Sequence, residues 1–303
     1  SDPVVLFCPT QICCSMGLVA SAPERRYFLQ KVKLGEGSFG TVWRAIDRLT
    51  ENLVAVKQLN KAGFAKRGLR RQDVAREISI MKAVCHRNVA EVFDEWEDGQ
   101  SIFLAMEYCD GGDFADKLKQ QGLNVEEKQA ASWMSQILSA IAALHANGFC
   151  HRDIKPDNFM IHKGGIKLCD FGLAVHLPEG KPLLTDKCGT PAFMSPEQHR
   201  LPTFSQGYNH SCDIWAAGIT MYMVMFGGKH PFLAHGHLLD ENSLLKGQLD
   251  FTSQDFLGWA VGEYRFSESA RRLCRCMVHP DRKKRITAAG AQGHTWFRDL
   301  RLW

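Results

Sequence analysis

The apolar pattern of this chain changes once, near Tyr108–Gly112, and that change dictates most of what the chain can fold into. From Tyr27 to Leu59 the residues are rich in β-branched and aromatic side chains around a glycine cluster. This predicts strands over about 27–35, 40–47 and 52–59. Val74, Ile78 and Met81 recur at helical spacing, so about 69–84 is predicted helical. Two more strands, near 91–97 and 101–107, flank the turn-like Asp98-Gly99. After Asp110 helices dominate: Glu126–Ala146 has a dense apolar face, and Ser211–Phe226 is almost wholly apolar and therefore buried. Segments near 267–278 and 287–298 read as further helices. The expected fold is α+β: a small antiparallel sheet lobe with one helix, then a larger, mainly helical lobe. Gly111-Gly112 would permit a hinge between them.

Composition excludes several classes. At 303 residues the chain is one large domain or two smaller ones. With 45% hydrophobic and 23% charged residues it is too apolar for a disordered chain. No repeat occurs at a fixed period, which removes solenoids. A net charge of +4 does not call for nucleic acid. Eleven cysteines lack the spacing of a small disulfide scaffold or a zinc ribbon, the nearest pair being Cys274 and Cys276. The expectation is a reduced, cytoplasmic protein. Residues 3–23 carry no charge, but prolines and polar residues break the run too often for a spanning helix. The expected organisation is an N-terminal extension over 1–26, flexible or packed on the domain, a catalytic region over 27–298, and a tail over 299–303. The alternatives for the front are a signal peptide or an acyl anchor on Cys13 and Cys14.

Three clusters carry chemistry. Gly35-Glu36-Gly37-Ser38-Phe39-Gly40 lies between two predicted strands, where glycines let backbone N–H groups approach a phosphate. A strand follows it, which argues against a dinucleotide site. Lys57 ends the apolar run Val54-Ala55-Val56, and Glu77 on the next helix is a candidate partner that would hold its ammonium against an anion. His151-Arg152-Asp153-Ile154-Lys155-Pro156-Asp157-Asn158, followed by Asp170-Phe171-Gly172, concentrates hard oxygen donors of the kind magnesium takes.

In this order the motifs resemble those of the eukaryotic protein kinases, over about Tyr27 to Phe297. Gly189–Glu197 resembles the segment closing the activation loop, with Ser195 where alanine is usual. Asp213–Gly218 resembles the buried helix that anchors the catalytic loop, and Arg285 the late arginine that pairs with Glu197. The resemblance implies a bilobal kinase fold and transfer of the γ-phosphoryl group of ATP to Ser or Thr hydroxyls, with Mg2+. It implies that Lys57, held by Glu77, contacts the α- and β-phosphates. Asp153 would accept the hydroxyl proton, Lys155 would steady the transferred group, and Asn158 and Asp170 would hold the metal. Leu34, Val42, Ala55 and Met160 would sandwich adenine. Met106 takes the gatekeeper position, and the backbone of Glu107 and Cys109 would meet the adenine edge. The alternative is a kinase-fold scaffold without activity.

The wording of the motifs is most similar to the calcium/calmodulin-dependent kinase group. Asp113 and Asp157 match positions where acids bind basic substrate residues. The plain alternatives are that Asp113 holds ribose and that Asp157 is a solvated turn residue. Arg152 precedes Asp153, and kinases of this type neutralise that arginine with a loop phosphate; here Asp186 stands ready to do so, with Thr185 as the rival phosphorylation site. The chain stops just past the last helix, leaving no space for EF-hands or a calmodulin-binding segment. Regulation by a partner protein, or excision of the domain from a longer chain, is therefore expected. The remaining expectations are a protein substrate, no nucleic-acid partner, membrane contact only through the N-terminal cysteines, and a monomer. Phe204–His210 reads as a surface insertion with no legible role.

Overall fold

The computed structural model describes residues 23–37, 40–64, 70–178, 180–234, 238–252 and 265–300. The chain divides into two compact units: residues up to Arg71 with Glu91–Tyr108, and Gln72–Ala90 with Cys109 onward.

The smaller unit begins with a short helix, α1 (Pro23–Arg26), and continues with β1 (Tyr27–Gly37), β2 (Gly40–Asp47), β3 (Leu53–Asn60), β4 (Val92–Glu97) and β5 (Ser101–Glu107). These form one antiparallel sheet of order β1-β2-β3-β5-β4. Residues directly opposite share a face of the sheet. Ala45 faces Val54 and Val56 faces Ala105, and with Tyr27 these make a buried cluster. Trp96 stacks between Tyr27 and Phe103, at 5.4 and 5.2 Å between ring centroids. The alternation that buries this set sends Val42, Ala55, Lys57 and Met106 to the other face, because Val42 pairs with Lys57 and Ala55 with Met106. The expected extension over 1–26 needs correction at its end. Arg26 is fixed by both oxygens of Asp47 (2.9 and 2.7 Å) and by Asp94 (2.8 Å), so residues 23–26 belong to the folded unit. Residues 1–22, with Cys8, Cys13 and Cys14, lie outside the described residues.

The helix α2 (Arg71–Ala83) buries Val74, Glu77, Ile78, Ile80 and Met81. The boundary expected from sequence kept all of 27–108 together; instead, residues from Gln72 to Ala90 join the larger unit. The cause is main-chain pairing: Leu168 donates to the Asn88 carbonyl at 2.8 Å and Ala90 donates to the Leu168 carbonyl at 2.9 Å. The larger unit continues with α3 (Phe114–Gln121), α4 (Glu127–Ala146), β6 (Phe149–Cys150), β7 (Phe159–His162), β8 (Gly165–Leu168) and β9 (Val175–His176). Then come α5 (Pro196–His199), α6 (Ser211–Met225), α7 (Glu241–Lys246), α8 (Glu268–Met277), α9 (Ala288–Gln292) and α10 (Thr295–Asp299). The pairs β6–β9 and β7–β8 are antiparallel.

The core of this unit is α6, buried on nearly every side, as its apolar composition demands. Gly218 lets α8 approach it: a Cβ there would lie 2.6 Å from Val278 and 2.8 Å from Met277. The helix expected over 287–298 is two helices, because a new N-cap, His294, accepts from the Trp296 amide and restarts the turn. The Gly111-Gly112 pair, where a hinge is expected, is packed within the larger unit. Gly111 donates to the Ile161 carbonyl, Ile161 donates back to Gly112, both at 2.8 Å, and a Cβ on Gly111 would lie 2.5 Å from the Ile161 side chain. Among the described residues no helix is long and apolar enough to cross a membrane.

Candidate active site

In the smaller unit the glycine cluster forms the β1–β2 hairpin, in which Gly37 pairs with Gly40. Gly40 is required by close approach, since a Cβ would sit 2.1 Å from the Gln58 carbonyl. Gly35 has open space above it, and Glu36 is exposed and paired with Lys33. Ser38 and Phe39 lie outside the described residues. Leu34 is exposed near the hairpin, and Val42, Ala55, Lys57 and Met106 share one sheet face beyond it. The Glu107 amide donates to the Glu91 carbonyl at 2.9 Å. In the larger unit, Glu77 is a buried carboxylate on α2.

The loop after β6 is held from below by α6. Asp213 accepts the main-chain amides of His151 (2.9 Å) and Arg152 (2.8 Å) and binds the His145 ring at 2.9 Å. Burial alone would raise its carboxyl; the His145 ring and the His151 amide bring it down to about 2. His151 is itself buried, which lowers its pKa and keeps it neutral, and its ring packs edge-on to Phe171 at 5.2 Å. Arg152 follows with φ of +69°, a left-handed backbone that a non-glycine residue adopts only when its surroundings impose it.

That anchoring presents Asp153. One oxygen accepts from the Thr190 amide at 2.9 Å and from the Thr190 hydroxyl at 2.7 Å. The other meets Lys155 Nζ at 3.0 Å and Asn158 Nδ2 at 3.1 Å. Burial pushes the Asp153 carboxyl up, but Thr190 and Lys155 more than offset it, so it rests below the usual carboxylate range. Lys155 also donates to the Thr190 hydroxyl at 2.7 Å. The Asn158 amide nitrogen is committed to the Asp153 carbonyl as well, at 2.6 Å, which leaves its oxygen as the ligand atom. Asn158 accepts at its own carbonyl from Cys169, the residue before Asp170. Asp170 has φ of +59° and accepts the Gly172 amide at 3.3 Å. Asn158 and Asp170 thus supply two hard oxygen donors on adjacent backbone, a set that fits Mg2+. Met160 lies on β7, half-buried, one residue beyond Phe159.

The segment from Leu173 to Glu197 closes over this loop. Arg152 donates through Nε to the Leu173 carbonyl at 2.7 Å, and one Nη pairs with Asp186 and reaches the Tyr208 hydroxyl at 3.2 Å. Tyr208 donates to the Asp186 carbonyl at 2.9 Å. Thr185 is exposed beside them. Glu197 and Arg285 form a buried two-pronged pair at 2.7 and 2.9 Å. Asp113 caps α3, accepting from Ala115 at 2.6 Å and Asp116 at 3.2 Å; burial, with Asp157 nearby, raises its carboxyl. Asp157 is exposed, and Cys109 and Cys169 are half-buried thiols.

The protein kinase domain family matches residues 28–297. The chain belongs to that family. It is 35% identical over 272 residues to calcium-dependent protein kinase 12 of Oryza sativa subsp. japonica, covering 88% of this chain and 48% of the relative. It is 33% identical to calcium-dependent protein kinase 3 of Plasmodium berghei (strain Anka), covering 91% and 47%. It is 34% identical to calcium-dependent protein kinase 21 of Arabidopsis thaliana, covering 90% and 50%. The chain spans about half the length of these curated relatives. It is a protein kinase catalytic domain, similar to these calcium-dependent protein kinases. Its family generally uses ATP and Mg2+.

Within the kinase, Thr190 and Tyr208 help organise the loop although sequence reasoning left both without a role, and Asp213 lies on the helix that the resemblance assigns to anchoring it. Thr190 bridges Lys155 and Asp153, Asp213 gathers the loop amides, and Tyr208 ties Arg152 to Asp186. A signal for Asp213 was present, since a carboxylate in a nearly all-apolar helix must find several donors. Thr190 and Tyr208 carried none, because their partners lie 37 and 56 residues away.

Proposed function

We propose that this kinase domain transfers the γ-phosphoryl group of ATP, in line, to Ser or Thr hydroxyls of protein substrates. The carrying observation is the Asp153 carboxylate, kept ionised by Thr190, Lys155 and Asn158 and flanked by the Lys155 ammonium. A carboxylate in that state can orient a hydroxyl and accept its proton. Lys155 lies on the same carboxylate and would meet the negative charge that grows on the transferred group. Asn158 and Asp170 would hold Mg2+, which when bound neutralises phosphate charge. Lys57, with Glu77 as partner, would bind the α- and β-phosphates, and the hairpin amides from Gly35 to Gly40 would cover them. Leu34, Val42, Ala55 and Met160 would frame adenine, with Met106, Glu107 and Cys109 at its edge.

Asp113 and Asp157 raise a local negative potential, which supports a preference for basic residues near the target hydroxyl. Asp186 already neutralises Arg152, which supports activity without loop phosphorylation. A reducing, cytoplasmic setting is supported by the eight cysteines among the described residues, which are free thiols, Cys150 and Cys212 among them with sulfurs 3.7 Å apart and unbridged.

The test is transfer of labelled phosphate from ATP to a Ser peptide with upstream arginines. Asp153→Asn should lower kcat by about 10²–10⁴-fold. If the unaltered chain binds ATP but transfers nothing, the inactive-scaffold reading replaces this one. A peptide array on which removing arginine changes nothing would remove the basic preference alone.

A further inference from the structure

The insertion Phe204–His210 has no part in the chemistry above except through Tyr208, yet it lines a groove in the larger unit. That groove, about 500 Å³, is lined by Arg200, Phe204, Leu245, Pro280, Asp281 and Arg282, and by Glu197. Its size falls in the range of about 300–1,000 Å³ typical of ligand sites. We propose that it docks a segment of a partner protein that is acidic and carries one apolar side chain.

Three observations carry this. First, Phe204 is 82% exposed, the most exposed large apolar residue among those described. Its backbone is nonetheless fixed. Phe204 donates to the Arg200 carbonyl at 2.8 Å, and Leu184 and Tyr208 exchange amide bonds at 2.9 Å. Gly207 adopts φ of +121° where a Cβ would lie 2.5 Å from the Leu184 carbonyl. A ring held in water by an anchored loop is an unfilled contact, and the apolar walls beside it are Leu245 and Pro280.

Second, the charge is mainly positive. The Glu197 carboxylate is consumed by Arg285. Asp281 turns one oxygen to the Lys283 amide at 2.9 Å. Against it stand Arg200 and Arg282 on the groove, and the exposed Lys283 and Lys284 beside it. Among the described residues neither guanidinium is ion-paired; Arg200 reaches only the Leu245 carbonyl, at 3.4 Å. Guanidinium groups in this state select carboxylates.

Third, the site is concave. An inserted apolar side chain can fill it while flanking carboxylates meet the rim; a flat bilayer or a nucleic-acid backbone would touch the rim and leave the groove empty. That favours a peptide segment.

The experiment uses the whole chain and fluorescence anisotropy. The probes are labelled pools of short peptides rich in Asp and Glu with one Phe or Leu, matched pools without the apolar residue, and matched pools with Lys and Arg. The acidic apolar pool should bind saturably and the basic pool should not. Arg200→Glu with Arg282→Glu should weaken binding by at least about tenfold, and added salt should weaken it too. Phe204→Ser should weaken it by at least about fivefold. Because the ring is exposed, Phe204→Ser should melt like the unaltered chain and phosphorylate a short basic peptide at the same rate. That separates failure here from failure of the phosphotransfer reading. The proposal falls if the acidic apolar pool does not bind, if it binds the variants equally, or if both acidic pools bind alike. Capture of phosphatidylserine vesicles in place of the peptides would also overturn it, in favour of a lipid surface.

Discussion

Replacing Glu197 by Gln tests whether the buried ion pair holds the activation segment. The Arg285 side chain is wholly buried and Glu197 is 9% exposed, so solvent screens little of their attraction. Gln keeps one oxygen for one Nη but turns an NH2 toward the other, and the guanidinium keeps its charge. Breaking a buried pair by removing one partner costs about 3–5 kcal/mol, because the remaining charge is left uncompensated. Arg285 retains the His279 and Ser211 carbonyls at 2.9 and 2.8 Å and the Trp215 ring at 5.2 Å, which points to the lower end, about 3 kcal/mol. For a domain of this size that is a fall in Tm of roughly 5 °C. Urea unfolding reads the free energy, with an unchanged m-value showing that the denatured state is not the cause. The double variant Glu197→Gln with Arg285→Met leaves no buried charge and should recover at least about half of the loss. A loss below about 1 kcal/mol, as for a solvent-screened pair, or a double variant no better than the sum of the singles, would refute the reasoning.

Three further outcomes are expected. Thr190→Val removes a donor to Asp153 and an acceptor from Lys155. It should lower kcat by about tenfold or more with KM for ATP little changed, whereas Thr190→Ser should keep most activity. The same variant should move the acid limb of kcat/KM upward in pH, since Thr190 helps hold Asp153 below its ordinary range; an unmoved limb counts against that role. Asp186→Ala leaves Arg152 without its carboxylate partner and should reduce basal activity, with Asp186→Glu restoring part of it; loss of activity in the unaltered chain after phosphatase treatment would transfer the role to Thr185. The Asp213 carboxyl is held at about 2 when folded, against 3.8 ordinarily, so its contribution is full above pH 3.8 and is lost as pH falls through 2. Between those limits urea midpoints should drop by the equivalent of about 2 kcal/mol, and Asp213→Asn should remove that share of the slope.

Much of the kinase domain was legible because its signals are local. Strand alternation, the apolar run of α6 and the spacing from Asp153 to Asp170 each depend on near neighbours, and the five strands of the smaller unit's sheet and the long helices lie where period and composition place them. The short-range exceptions had short-range causes: a second N-cap at His294 divides the last predicted helix. What the sequence by itself determined was the set of groups: which carboxylates, which lysines, which glycines, and in what order. Tertiary structure decided what each group is for. Glu197 and Arg285 are 88 residues apart, and Asp213 collects amides 61 and 62 residues away. Gly111 is packed against Ile161 within the larger unit, and the insertion at Phe204 lines a groove only because the fold brings Pro280 and Arg282 to it. The physical reason is the cost of burying polar groups. A buried charge must find its partner wherever the fold brings one, and burial is a property of the folded chain.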